Sequence, residues 1–170
     1  MTDEKHYTES EAHYLFATDF RTRTWNLLDL PTRTRDEDER MRDYAHASLA
    51  HWRITGTAAQ YERSEWMLAR VYAVLGQAEA ALLHAQRCLD LLEDHKAEME
   101  ELDFAFAPEA MARAHAIAGN KSYALKYIAL AQQAGDAIRS EDDRNTFFQE
   151  FNGGNWNGTG RLQRLPLNTP

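Results

Sequence analysis

A chain of 170 residues, 44% hydrophobic and 27% charged, is long enough for one well-buried core and too short to need two. Its formal net charge of −8 argues against a binder of phosphate backbones, because such proteins gain affinity by presenting positive charge that releases counterions. Cys88 is alone, which excludes an internal disulfide. Met1 to His6 has no basic stretch followed by an apolar one, and every apolar run is broken before the ~20 residues of a membrane span, so a cytoplasmic protein is expected.

Thr8-Glu9-Ser10-Glu11 is a capping box, in which a hydroxyl and a carboxylate three residues apart satisfy the orphan amides of a helix start. It opens a first helix expected over Glu9–Leu30, which Pro31 ends. Thr34-Arg35-Asp36-Glu37 opens a second helix running to Thr55, where Gly56 stops it, and Thr57-Ala58-Ala59-Gln60 opens a third running to Leu75. Gly76 makes a turn into a fourth helix, Ala78–Asp94. The fifth spans Glu98–Ala118, with Pro108 predicted to kink it or split it. Gly119-Asn120 leads into a sixth, Lys121–Ile138. Ser140-Glu141-Asp142-Asp143 caps a short seventh helix ending near Phe151, whose Phe147, Phe148 and Phe151 suit a helix covering the open end of a stack. Residues 152–170 carry turn chemistry without periodicity and are expected to form a mobile tail. No segment alternates as a strand does, so the fold class is all-α, with residues 1–151 as one domain.

The spacing of these helices carries an internal repeat. Leu68-Ala69-Arg70-Val71-Tyr72-Ala73-Val74-Leu75-Gly76 with Ala81-Leu82 returns, 43 positions on, as Met111-Ala112-Arg113-Ala114-His115-Ala116-Ile117-Ala118-Gly119 with Ala124-Leu125. A weaker copy lies upstream, where Met41, Tyr44, Ala45, Ser48 and Leu49 align with Ala81, His84, Ala85, Cys88 and Leu89. A glycine turn, a small residue on the following helix and another seven positions later (Ala81 and Cys88; Ala124 and Ala131) resemble the tetratricopeptide repeat. The period departs from that family's usual ~34 residues, and Glu65 and Pro108 stand where its helix A carries tryptophan. The resemblance implies a right-handed array of antiparallel helix pairs in three units, residues 9–55, 57–94 and 98–138, with 140–151 as a capping helix. The segments Trp25 to Asp29, Ala45 to Trp52 and Glu65 to Ala73 also resemble a group of bacterial proteins of this shape, which implies the fold and no activity.

In tetratricopeptide arrays the first helix of each pair lines a concave groove, and by that resemblance Arg70 and Arg113 face it. Arg63 and Trp66 share the face of Arg70 through three-and-four spacing. Guanidinium forks beside an indole can hold a peptide carboxylate or acidic side chain. The competing reading is that these arginines pair with Glu62, Glu65, Glu109 or carboxylates of the second helix and tie the helices together.

Other clusters weigh less. His46 and His51 are five apart, about 140° around a helix, and cannot share a metal in the manner of an i, i+4 pair. Trp52 follows the Met41, Ala45, Ser48 stripe and is expected in the core, with His51 at its edge. His84 and Cys88 have ligand spacing, yet Cys88 occupies a close-packing position that predicts an inert thiol. The acidic runs Asp36 to Glu39 and Glu98 to Glu101 complement helix starts. No phosphate loop, nucleophile elbow or paired-cysteine motif appears, so no catalytic residue, metal or cofactor is assigned.

The leading expectation is therefore a non-enzymatic scaffold that binds a protein or peptide through Arg63, Trp66, Arg70 and Arg113, the arginines clamping carboxylates. An alternative is a small-molecule sensor or enzyme with a pocket between the first two helix pairs, lined by Trp25, His51, Trp66 and Tyr72. A third is a homodimer packed through Phe147, Phe148 and Phe151. Nucleic acid and membrane are not expected partners.

Overall fold

Seven α-helices are formed by the described residues, 6–154 and 156 of a computed structural model, and no strand is present among them. They are α1 (Glu9–Leu28), α2 (Arg35–Thr55), α3 (Ala58–Val74), α4 (Ala78–Asp94), α5 (Glu101–Ile117), α6 (Lys121–Asp136) and α7 (Glu141–Asn152), with a single 3₁₀ turn, Lys96–Glu98, before α5. The capping boxes form: Glu11 and Glu37 accept from the backbone N–H of Thr8 and Thr34, and the Gln60 side chain accepts from Thr57 N–H at 2.7 Å. α5 starts later than expected because Glu100 is its N-cap, its N–H donating to Asp103 at 2.9 Å. Pro108 lies inside α5 without splitting it. The hydrogen bond its ring removes is offset by packing, since Ala105, Ala107, Glu109 and Ala112 around it are all fully buried.

Consecutive helices pack as pairs, α1 on α2, α3 on α4 and α5 on α6, and α2 on α3 and α4 on α5 join the pairs into an array. The repeat is visible in its turns. Gly76 and Gly119 have φ of 71° and 75°, and the next residue closes each helix by a bond to the carbonyl five back, Gln77 to Tyr72 and Asn120 to His115, both 2.9 Å. That Schellman closure needs a left-handed residue, which glycine adopts without a Cβ penalty. Ala81, Cys88, Ala124 and Ala131 are fully buried at the helix crossings, where short side chains let the backbones approach.

A ring pair repeats with its members exchanged: Tyr72 on α3 stacks on His84 of α4, while His115 on α5 stacks on Tyr127 of α6, at 5.3 and 5.7 Å between centroids. Each pair joins the two helices of its unit. One core cluster runs from α2 to α5 through Met41, Leu68, Val71 and Met111. Another joins α5, α6 and α7 through Ala112, Ala131, Ile138, Phe147 and Phe151.

α7 packs against α5 and α6, as α5 does against α3 and α4, and so takes the place of the first helix of a further pair. Its seat depends on Gly135, where an added Cβ would lie 2.3 Å from the Phe147 ring. Of the expected mobile tail, residue 155 and residues 157–170 lie outside the described residues. Trp156, by contrast, is 5% exposed, because the second core cluster and the Arg113 guanidinium close over it.

Candidate functional site

The first helix of each pair and α7 turn one face towards a common cleft of about 460 Å³. Its walls come from these odd-numbered helices and from the caps Asp29 of α1 and Glu100 of α5: Arg21 and Trp25 from α1, Glu62, Arg63 and Trp66 from α3, Asp103 and Phe106 from α5, and Gln149 and Glu150 from α7. Three rings form a continuous apolar wall, with centroids 5.7 Å apart for Trp25 and Trp66 and 4.9 Å for Trp66 and Phe106.

Towards the C-terminal ends of α3 and α5, the charges on the concave face are matched. Glu109 is completely buried and accepts from Trp66 Nε1 at 3.0 Å, from Arg70 Nη1 at 3.2 Å and from Arg113 Nε. Burial alone would raise its pKa, but the charges of Arg113 and Arg70 outweigh that and hold its carboxyl below the usual range. Arg70 Nη2 donates to the Glu150 carboxylate at 3.0 Å. Arg113 Nη2 donates to the backbone carbonyls of Glu150 and Gly153 at 2.9 and 3.1 Å, and its guanidinium lies 4.2 Å from the Trp156 ring centre. The arginines that recur in the sequence thus join α3, α5 and the end of α7.

Arg63 belongs to a different group. It makes a bidentate pair with Asp103 at 2.7 and 2.9 Å and reaches Glu100 at 2.8 Å, and its hydrogen bonds with Asp103 raise its pKa despite partial burial. Sequence reasoning brought Arg63, Trp66, Arg70 and Arg113 to one face, and they do lie along it. The carboxylates that meet the three arginines, however, come from this same chain.

Inside the cleft the matching is incomplete. Glu62 is 1% exposed; Cys88 Sγ donates to its Oε1 at 2.8 Å, and Oε2 has no hydrogen-bond partner among the described residues. Burial pushes its carboxyl up to about 8, the thiol bond opposing that only in part and Asp103 adding to it. At neutral pH it is mostly the uncharged acid. Arg21 emerges at the mouth with no acceptor or carboxylate partner among the described residues, and burial and then the charge of Arg63 lower its pKa.

No family model, curated protein or solved structure matches the chain. Among the described residues no helix is long and apolar enough to cross a membrane, and no group of three His, Cys, Asp or Glu is arranged to hold a metal ion.

The pocket expected between the first two pairs is corrected in position. Trp25 and Trp66 do face each other, but His51 and Tyr72 are not in the cleft. His51 lies against His13, Phe16 and Phe20, with Nδ1 2.7 Å from Nδ1 of His13, since α2 is the second helix of its pair and turns from the concave side. Tyr72 follows Trp66 by six residues, about 120° around the helix, so it points to α4 and its hydroxyl lies 2.7 Å from His46 Nε2. Of the three rings expected at a homodimer contact, Phe147 and Phe151 are fully buried within the chain and Phe148 is half-buried. Cys88 faces Glu62, its thiol pushed up by burial and by that carboxyl, and His84 Nδ1 lies 2.6 Å from Glu65.

Arg21, Phe106 and Glu150 were not expected in the site, and Glu62 was expected only as a partner of the arginines, whereas it meets Cys88. The signal for two of them was present, since Arg21 with Trp25 and Glu62 with Trp66 are i, i+4 pairs on the stripes already singled out. Phe106 and Glu150 had no local signal.

Proposed function

We propose that this protein is a ligand-binding module of tetratricopeptide-like build, and that its site is the concave cleft enclosed by α1, α3, α5 and α7, sized for a small organic molecule. The observation that carries this reading is the combination of an aromatic wall, Trp25–Trp66–Phe106, with a buried carboxyl on the same cleft. The cleft volume falls within the roughly 300–1,000 Å³ of small-molecule sites, and convergent polar groups on an apolar wall are their usual make-up. A panel of metabolites screened by thermal shift and tryptophan fluorescence tests it. A true ligand present at about 100 times its Kd adds roughly 2.7 kcal/mol to stability. Its shift is lost in Trp25→Leu and Phe106→Ala, and a shift surviving both would move the site elsewhere.

A second reading, a cytoplasmic scaffold for an acidic peptide or partner protein, is supported by the way Arg70 and Arg113 hold two backbone carbonyls and a carboxylate of residues 150–153. It requires the end of α7 to be replaced by a segment of like chemistry. A labelled peptide of residues 147–156 should then bind the full chain in trans, and binding should fall in Arg113→Ala. No binding of that peptide removes this reading.

A further inference from the structure

Four carboxylates are buried among the described residues: Glu62, Glu65, Asp103 and Glu109. Three have nitrogen partners. Glu109 has Arg70, Arg113 and the Trp66 indole, Asp103 has Arg63, and Glu65 has Arg53 and His84. Among the described residues Glu62 has only a thiol on one oxygen and no hydrogen-bond partner on the other, and it lines the cleft beside the aromatic wall. A buried acid left without a cation is costly unless a partner arrives or a proton stays.

Resting on the cleft reading above, we propose that Glu62 anchors a small organic amine whose apolar body lies against Trp25, Trp66 and Phe106. Ring faces attract a cation and a desolvated carboxylate completes the pairing, so one ligand satisfies both features of the wall. Carboxylates of Glu100, Glu150 and Asp29 lie around the same cleft. Arg63 offers an amine little repulsion, being held by Asp103 and Glu100. Arg21 is the lining cation without a partner among the described residues, and its charge at the mouth weakens the site.

The charged and titratable groups that face Glu62 or line the cleft with it are Arg21 from α1 and Asp29 at its C-cap, Arg63 on α3, Cys88 from α4, Glu100 at the N-cap of α5 and Asp103 within it, and Glu150 from α7. With its carboxyl pushed up to about 8, Glu62 must lose its proton when an ammonium binds. Binding therefore releases a proton, and affinity rises by as much as about tenfold per pH unit below that value.

Calorimetry on the full chain with phenethylamine, phenylacetate and benzyl alcohol, at pH 6.5 and 7.5 and in two buffers of different ionisation enthalpy, tests this. The expected result is that phenethylamine binds several-fold more tightly at pH 7.5, with proton release, and that phenylacetate does not bind. Glu62→Gln, close in shape to the native side chain, loses at least about tenfold in affinity and all of the pH dependence. Trp25→Leu, which leaves the buried hydrogen bonds intact, weakens binding as well, and Arg21→Ala strengthens it. Phenylacetate or benzyl alcohol binding as well as the amine, with tryptophan quenching, overturns the amine assignment and leaves the cleft in place. Binding by none of the three, combined with a metabolite panel that yields no shift, overturns both.

Discussion

The two ends of the concave face treat charge in opposite ways. Around Glu109, three side-chain donors converge on one carboxylate, and what remains of the two guanidiniums is spent on α7. Around Glu62, one oxygen meets a thiol, the other meets no partner, and a nearby arginine at the mouth is unmatched. Both arrangements involve buried acids on the same array, so burial alone does not mark a binding site. The Glu109 cluster is an internal joint whose charges hold three helices in register. The Glu62 wall is one where a ligand can supply what the fold leaves out.

The largest effect is expected from removing the carboxylate at the hub. Glu109→Ala leaves Arg113 buried without its carboxylate and should cost about 3–5 kcal/mol in chemical denaturation. Loss of less than about 1 kcal/mol would mean that the joint is not structural. At the other end, Glu62→Gln sharpens the contrast through pH. The folded value of Glu62 is raised, so the stability attached to it is present in full below the unfolded value of 4.5 and is lost as pH rises towards about 8. The wild type should thus fall relative to Glu62→Gln by up to about 1.4 kcal/mol per pH unit across that window. Parallel stability curves for the two proteins would show that Glu62 is not the unmatched acid described. Arg70→Ala is expected to cost less than Glu109→Ala, about 1–3 kcal/mol, because Arg113 remains to pair with the carboxylate. Amide hydrogen exchange should show its loss first in α7, through Glu150. The smallest effect is Arg21→Ala, expected within about 0.5 kcal/mol of wild type, since no partner is lost. A cost above about 2 kcal/mol would place Arg21 among the matched charges and erase the difference between the two ends.

The fold was legible wherever its cause is local. Three capping boxes, the two glycine turns and the small residues Ala81, Cys88, Ala124 and Ala131 act within a turn or two of helix or at a fixed helix crossing, and the structure uses each as its chemistry dictates. Helix ends were less legible. α1 and α6 stop two residues short of the expected points, and α5 begins at Glu101 because the side chain of Asp103, inside the helix, closes its cap. Within the candidate site, the face shared by Arg63, Trp66 and Arg70 followed from helical spacing alone. Placing His51 and Tyr72 with Trp25 failed because each belongs to a helix face turned towards another neighbour.

By itself the sequence determined that this chain is an array of helix pairs and that Arg70 and Arg113 occupy equivalent positions, since period, turn chemistry and side-chain size are properties of neighbouring residues. Only the tertiary structure decided what those arginines do. Their partner Glu150 stands 80 residues from Arg70 and reaches it because α7 folds back over α5. The same packing buried Glu62 beside Cys88 and opposite Trp25, and so determined which acid the fold leaves without a cation. Charge matching depends on distances through space, and no spacing along the chain encodes them.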